Sequence, residues 1–236
     1  MLRTLSPNCL TCPSRLSNVL HCCPIAAIEG ISQDKISQRY RAGQAIFGEG
    51  SRPAGLYCVH EGRVKITKSG GDGKEQIIRL VRPGDLLGYR ALVAGSAHAT
   101  SAVALSDCTV CLIPKLAVSQ QLSDNPLFSS AILQLLAANL GDTAERMLHL
   151  AYKPVRERLA EALLLLLRTY HPAEAASHPF TIAISREDLG ALMGTTKETT
   201  TRMLSEFKQE GLLTTQGSAI TILAPQRLSA IATLFD

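Results

Sequence analysis

Residues 185–203 read Ser-Arg-Glu-Asp-Leu-Gly-Ala-Leu-Met-Gly-Thr-Thr-Lys-Glu-Thr-Thr-Thr-Arg-Met, the punctuation of two helices joined by a tight turn. Ser185 suits an N-cap, and Glu187 and Asp188 face the positive end of the helix it opens. Leu189 and Met193 are apolar and pack inward. Gly190 is small where two helices cross closely, and Gly194 supplies the positive φ that an interhelical turn demands. Met203 is apolar again, so Arg186 to Met203 fits a helix-turn-helix; Thr200, where an aliphatic residue is usual, fits loosely. The second helix opens polar and hydroxyl-rich, with Met203, Leu204 and Phe207 on its buried side. Such a helix can offer its first turns to a major groove. Lys197 and Arg202 can donate to guanine O6/N7, and Glu198 can accept from cytosine N4 or adenine N6. Thr196, Thr201 and Ser185 can reach phosphates or thymine methyls. A solvated face with an i,i+4 Glu198–Arg202 pair is the plainer reading. It is compatible with the first, because such a pair orients Arg202 before it reaches a base.

Working outward, Gly211 is followed by apolar and β-branched residues at 212–215, a turn at Gln216-Gly217-Ser218 and a second such run at 219–223. That is a hairpin wing beside the helix-turn-helix. Upstream lie a short β-branched strand (180–184), a loop (171–179) and a very apolar helix (155–170), with Pro154 as the boundary. Between 127 and 153 apolar residues recur at helical spacing. Leu133, Leu136, Leu140, Thr143, Met147 and Leu150 form an a/d seam of about two and a half heptads. Such a stripe needs a partner, and a second copy of the chain is the simplest one; the other reading is a helix lying on its own domain. From Tyr40 to Pro114 short strands (43–47, 55–59, 63–68, 75–81) alternate with turns at Glu61-Gly62, Gly70–Gly73 and Pro83-Gly84-Asp85. This spacing predicts a small antiparallel barrel or roll. Residues 1–28 read as a cysteine-rich cap of little periodicity.

The 236 residues are 46% hydrophobic and 19% charged, enough for a core and one or two domains, and disorder is excluded. The leucine run 163–167 falls far short of the roughly 20 apolar residues of a membrane span. The N-terminus carries no apolar segment followed by a cleavage site, so a soluble cytoplasmic chain with no membrane partner is expected. In a reducing compartment seven cysteines point to metal binding or redox chemistry more than to disulfides. The net charge is +4, yet residues 154–236 hold 8 basic against 9 acidic residues. DNA binding therefore rests on where the charges sit. No Ser/His/Asp or Cys/His arrangement has local support and 70–73 is a turn rather than a phosphate loop, so an enzyme is not expected. A thiol oxidoreductase and a purely structural dimer module are the rival classes; the second would not need the wing.

Several segments together carry a resemblance. They are Gly43-Gln44-Ala45-Ile46-Phe47, Glu61-Gly62-Arg63-Val64-Lys65, Pro83-Gly84-Asp85-Leu86-Leu87-Gly88, Thr109-Val110-Cys111-Leu112-Ile113-Pro114, Arg186-Glu187-Asp188-Leu189-Gly190 and residues 198–202. From about Tyr40 to Leu223 the chain resembles the family of the cyclic-AMP receptor protein and the fumarate–nitrate reductase regulator (Crp/Fnr), and more closely the latter branch. The resemblance implies an α+β chain: a double-stranded β-roll sensor of cupin-like form, a long dimerisation helix and a C-terminal winged helix-turn-helix. The corresponding divisions are 1–28, 29–126, 127–153 and 154–236. It implies a homodimeric transcription regulator that binds palindromic promoter sites on double-stranded DNA and contacts RNA polymerase. Glu198, Thr201 and Arg202, with Lys197 before them, stand at the recognition positions. Thr201 replaces the oxygen regulator's serine and Lys197 the cyclic-AMP branch's arginine, so the half-site can differ.

Cyclic-nucleotide members of the family carry Gly-Glu for the ribose and an arginine for the phosphate. Here those places read Gly88-Tyr89 and Thr100-Ser101. A buried phosphate without its arginine is an unpaired charge, so cyclic AMP is not expected as effector; Arg90 is the nearest basic residue. Cys9-x2-Cys12, then Cys22-Cys23, then Cys111 resemble instead the oxygen regulator's pattern of N-terminal thiolates plus one in the roll. Four thiolates are what a [4Fe–4S] cluster requires. The gap after Cys12 is longer than the family's, which leaves Cys22 and Cys23 as alternatives. Cys58 and Cys108 read as buried strand residues, and His21 as an exposed side chain. Structural zinc, thiol switching and a metal-free protein answering another small effector remain alternatives. On the cluster reading, oxygen or nitric oxide governs how the cap is tied to the roll near Cys111, and through it the dimer helix. Thr143 is uncharged in mid-seam, so the dimer is expected to persist without the cluster.

Overall fold

The computed structural model describes residues 7–71, 73–171 and 179–233. The chain divides into two units, residues 1–68 with 79–141 and residues 69–78 with 142–236. The glycine-punctuated strands form two four-stranded sheets. In the first, β1 (Ile36–Tyr40), β8 (Cys108–Pro114), β3 (Gly55–Glu61) and β6 (Leu86–Leu87) lie side by side in that order. The second runs β2 (Ala45–Phe47), β7 (Ser101–Ala104), β4 (Val64–Ser69) and β5 (Glu75–Val81). Phe47 and Tyr57 come from different sheets, and their ring centroids are 5.3 Å apart. Tyr57 therefore faces the other sheet. Side chains alternate along a strand, so Leu56 and Cys58 point the opposite way, and across the register lie Ile113 and Cys111.

That outward apolar face is covered by helices. Ile28 and Ile31 of α2 (Ile25–Asp34), Val118 of α4 (Lys115–Asp124) and Phe128 and Ile132 of α5 (Pro126–Tyr152) join it in one buried core. Their spacing of three or four residues puts each pair on one helix face. Burying a side chain of this size contributes about 1.5–3 kcal/mol. Two expectations are corrected. The N-terminal segment is not aperiodic: α1 (Pro13–Leu16), a 3-10 turn (Val19–Cys22) and α2 follow one another. The roll also begins before Tyr40, with β1, an edge strand whose polar, largely exposed residues lack the alternation that marks a half-buried strand. A short helix, α3 (Tyr89–Ala94), precedes β7.

In the second unit α6 (Val155–Tyr170) follows Pro154 as read, and buries Leu159, Leu163 and Leu166 completely. β9 (Phe180–Ala183), α7 (Arg186–Met193), α8 (Lys197–Gln209), β10 (Leu213–Gln216) and β11 (Ala219–Ile222) build the winged helix, its sheet ordered β10-β11-β9. α9 (Pro225–Ala232), with Leu228 fully buried, packs on α6 and has no counterpart in the sequence reading. Of the loop expected at 171–179, residues 172–178 lie outside the described residues. Among the described residues no helix is long and apolar enough to cross a membrane.

Candidate nucleic-acid interface and cysteine site

The helix-turn-helix is held by local chemistry. The Ser185 hydroxyl accepts from the Asp188 backbone N–H at 2.9 Å, and the Thr196 hydroxyl accepts from that of Thr199 at 3.3 Å. Each satisfies one of the donors a helix start leaves open. Gly194 closes α7 at φ +66°. A Cβ at Gly190 would stand 2.9 Å from the Thr195 carbonyl oxygen and 3.0 Å from the Thr200 hydroxyl, so glycine is what the helix crossing allows. Thr200 is fully buried, and its hydroxyl donates to the Thr196 carbonyl at 2.8 Å. The loose fit at this position is thereby accommodated: the polar atom is satisfied within its own helix. Sequence reasoning missed the groups that pin the turn. Arg158 donates to the Met193 carbonyl at 2.8 Å, and Arg146 and Gln76 each reach the Leu192 carbonyl at 3.4 Å. Cations at a helix C-terminus also complement its dipole.

Lys197, Glu198, Thr201, Arg202 and Ser205 form the exposed face of α8, while Thr200, Met203, Leu204 and Phe207 are buried. Lys197 pairs with Glu187 at 2.5 Å, which holds the Glu187 carboxyl below its usual range. The Glu198 carboxyl is lowered chiefly by its own backbone N–H and then by the Thr196 hydroxyl. The expected Glu198–Arg202 pair does not form among the described residues; the open N–H groups of the first turn hold the carboxylate instead. Thr201 donates to the Lys197 carbonyl at 2.9 Å, and Ser185, half-buried, also donates to the Asp188 carboxylate at 2.9 Å. Thr196 is exposed at the helix start.

Along α5, Leu133, Leu140 and Met147 are 63%, 72% and 65% exposed, and Thr143 is exposed beside them. Leu136 and Leu150 are half-buried, Leu136 against the roll's core.

The described cysteines form no disulfide. Cys9, Cys58 and Cys111 are buried in one core, and Cys12 lies 3.5 Å from Nδ1 of His60. Burial raises the Cys58 thiol to about 12; Cys111, Cys12 and Cys9 add to this and Lys35 opposes it. Cys23 is buried in the same core, and Cys22 beside it is half-buried. The Cys22 sulfur is 3.3 Å from Nε2 of His21, an exposed side chain as read. Burial raises Cys23 to about 11, with Cys22 adding and Arg15 opposing. Among the described residues no three His, Cys, Asp or Glu side chains are grouped to hold a metal ion.

Tyr89 is buried, and Arg79 donates to its hydroxyl at 3.0 Å. Ser101 accepts from the Glu49 backbone N–H at 2.9 Å.

The cyclic nucleotide-binding domain family matches residues 37–125, and the Crp-like helix-turn-helix domain matches residues 157–231. The fumarate and nitrate reduction regulatory protein of Salmonella typhi is 30% identical over 190 residues, covering 80% of this chain and 76% of that protein. The CRP-like cAMP-activated global transcriptional regulator of Mycobacterium tuberculosis is 24% identical over 204 residues, 86% of this chain and 91% of its own. A CRP/FNR-family transcriptional regulator of Thermus thermophilus superposes with a TM-score of 0.69 at 26% identity, over 84% of this chain and 98% of that one. These relatives are transcription regulators rather than enzymes, and with its roll and winged helix-turn-helix this chain belongs to the Crp/Fnr family of DNA-binding transcription regulators.

Proposed function

We propose that the chain acts as a homodimer on palindromic promoter sites, contacts RNA polymerase there, and answers a redox signal, oxygen or nitric oxide, through its cysteines in the cytoplasm. The observation that carries the DNA reading is the exposed face of α8, where Lys197, Glu198, Thr201 and Arg202 stand together opposite a buried side of Thr200, Met203, Leu204 and Phe207. Thr196 and Ser185 lie at the two helix starts, where backbone N–H groups favour phosphate. The seam on α5 pairs two copies, and residues 1–28, 29–126, 127–153 and 154–236 divide the labour into cap, sensor, dimer helix and reader.

Cyclic AMP is not the effector on this reading. Tyr89 and Ser101 fill the two positions and are engaged with Arg79 and Glu49, so neither a ribose carboxylate nor a phosphate guanidinium stands there.

On this reading Cys9, Cys12, Cys22 or Cys23, and Cys111 would hold a [4Fe–4S] cluster once brought together, since among the described residues no three such side chains are grouped for a metal. Burial raises the Cys111 thiol; the Ser37 hydroxyl, 3.3 Å from its sulfur, and the buried Lys35 oppose this, and Cys9 and Cys12 of the cap add to it. Hydrogen bonds to the sulfurs and a nearby cation stabilise an anionic group of this kind. When bound, a cluster supplies an oxygen-sensitive link among these thiolates. The chain's own residues carry the consequence onward: Cys9 and Cys111 share a core with Ile28 and Ile31 of α2 and Phe128 and Ile132 of α5. A change at the sulfurs thus bears on the root of the dimer helix.

The test is binding to a palindromic duplex by wild type and Arg202→Ala, in the presence and absence of air. Loss of one bidentate base contact is expected to weaken binding by about 1–3 kcal/mol. Unchanged affinity would reject α8 as the reading helix. An anaerobic preparation that is brown and bleaches in air is expected; a colourless, iron-free one would leave the metal-free reading, in which thiol oxidation or another effector is sensed.

A further inference from the structure

A helix leaves its last carbonyls without partners of its own. In α7 two of these, at Leu192 and Met193, are met by side chains from far along the chain. Arg158 of α6 donates to the Met193 carbonyl at 2.8 Å, and Gln76 of β5 and Arg146 of α5 each donate to the Leu192 carbonyl at 3.4 Å. The same Arg146 guanidinium also donates to the carbonyls of Ile78 at 2.9 Å and Ile77 at 3.2 Å. One side chain thus ties α5, the backbone of β5 and the end of α7 together, which the planar fork of an arginine allows and a single ammonium does not. Arg146 is half-buried, whereas Glu145 and Met147 on either side of it are exposed. Burial works against its charge, and Glu161 and Asp142 favour it. The turn that follows is enclosed by the same elements: a Cβ at Gly194 would stand 3.0 Å from Leu150 of α5 and 3.4 Å from Arg158 and from Gln76. Thr196, which caps α8, is two residues further on. The direction in which α8 leaves is therefore set here. β5 and α5 are also elements that run through both units, changing unit after Ile78 and after Gly141.

We propose that Arg146 is a positioning residue for sequence reading: it fastens the turn from which α8 departs to β5 and α5, and so sets the angle at which Lys197, Glu198, Thr201 and Arg202 meet a major groove. This rests on the reading of α8 given above. Phosphate contacts hold a protein on the duplex and carry no sequence information, whereas base contacts need the right approach. A loosened turn costs the base contacts and leaves the sequence-independent electrostatic attraction in place. Loss of Arg146 therefore lowers discrimination between sequences rather than DNA binding as such.

The experiment uses the full chain and two probes: a duplex that the wild type selects from a random pool, and a duplex of unrelated sequence. Affinity for both is measured by fluorescence anisotropy for wild type, Arg146→Gln, Gln76→Ala and Arg202→Ala, well below the melting temperature of each, with circular dichroism to verify folding. Arg146→Gln is expected to bind the selected duplex about tenfold more weakly, as the loss of hydrogen bonds from a charged donor implies, and the unrelated duplex as wild type does. Gln76→Ala, which removes one neutral donor from the Leu192 carbonyl, is expected to lose about threefold on the selected duplex alone. Folded Arg146→Gln that keeps the wild-type ratio between the two duplexes, or that weakens on both by the same factor, overturns the proposal. Should Arg146→Gln not fold, an unchanged ratio in Gln76→Ala overturns it. Arg202→Ala separates the two levels: if it binds the selected duplex as wild type does, the reading of α8 fails and the proposal with it. If Arg202→Ala is weakened and Arg146→Gln is not, that reading stands and the proposal alone falls.

Discussion

Cys108 illustrates how one position on a strand fixes a residue's chemistry. It is 4% exposed, and burial first, then the Asp107 charge, push its thiol up to about 11 from an ordinary value of 9.0. Its register partner Tyr40 is also raised, chiefly by burial. The folded chain therefore holds these protons more tightly than the unfolded chain does. The stability this confers is complete below the unfolded value near 9 and is lost as pH rises through about 11. The urea midpoint of the metal-free protein is expected to fall between pH 9 and pH 11, and to fall less steeply in Cys108→Ala. A midpoint that is flat over this range would refute the argument. Cys58 and Cys108 both read from sequence as buried strand residues, and both are buried in β-strands. What the sequence does not carry is which face each takes. That is decided by the pairing of β3 with β8, a contact between distant segments that no local period encodes.

At the level of elements, α7 and α8 were legible because their signals are local. The caps Ser185 and Thr196 and the turn at Gly194 each act within a few residues of themselves, and Leu189, Met193, Met203 and Phe207 mark the inner faces by spacing. The crossing itself yields a prediction. A side chain at Gly190 would collide with the Thr195 carbonyl oxygen, a backbone atom, and with the Thr200 hydroxyl. Gly190→Val is expected to destabilise the protein by roughly 1–3 kcal/mol, read as a lower melting temperature; an unchanged melt would mean the helices can part without cost. The donors from Gln76, Arg146 and Arg158 that hold the end of α7 were not legible. They come from segments far away in the chain, and a basic residue in a sequence does not announce which carbonyl it will meet. β1 escaped for a different reason: an edge strand with exposed polar side chains has no apolar alternation to betray it.

For the molecule as a whole the decisive question is what α5 does with its outer face. Its inner side is occupied, since Phe128, Ile132 and Leu136 pack into the roll's core. The reading of a helix lying on its own domain thus holds for this inner face, and the proposed pairing of two copies concerns the outer one. The outer face leaves Leu133, Leu140 and Met147 mostly in water, and it is along this face that the proposed dimer would form. Pairing two copies along it would bury them at about 1.5–3 kcal/mol apiece. Thr143 lies in the middle of that face. A carboxylate there would meet its own image across a two-fold axis, whereas threonine brings no repulsion. The proposed dimer should then not depend on the cysteine site being loaded. Sedimentation velocity of the metal-free full chain is expected to give a dimer, with Leu140→Asp, which places facing charges in the seam, shifted to monomer. A wild-type monomer in the metal-free state would break the argument, because the seam would then need the cap's bound state to close. A dimeric Leu140→Asp would instead move the interface off this helix face.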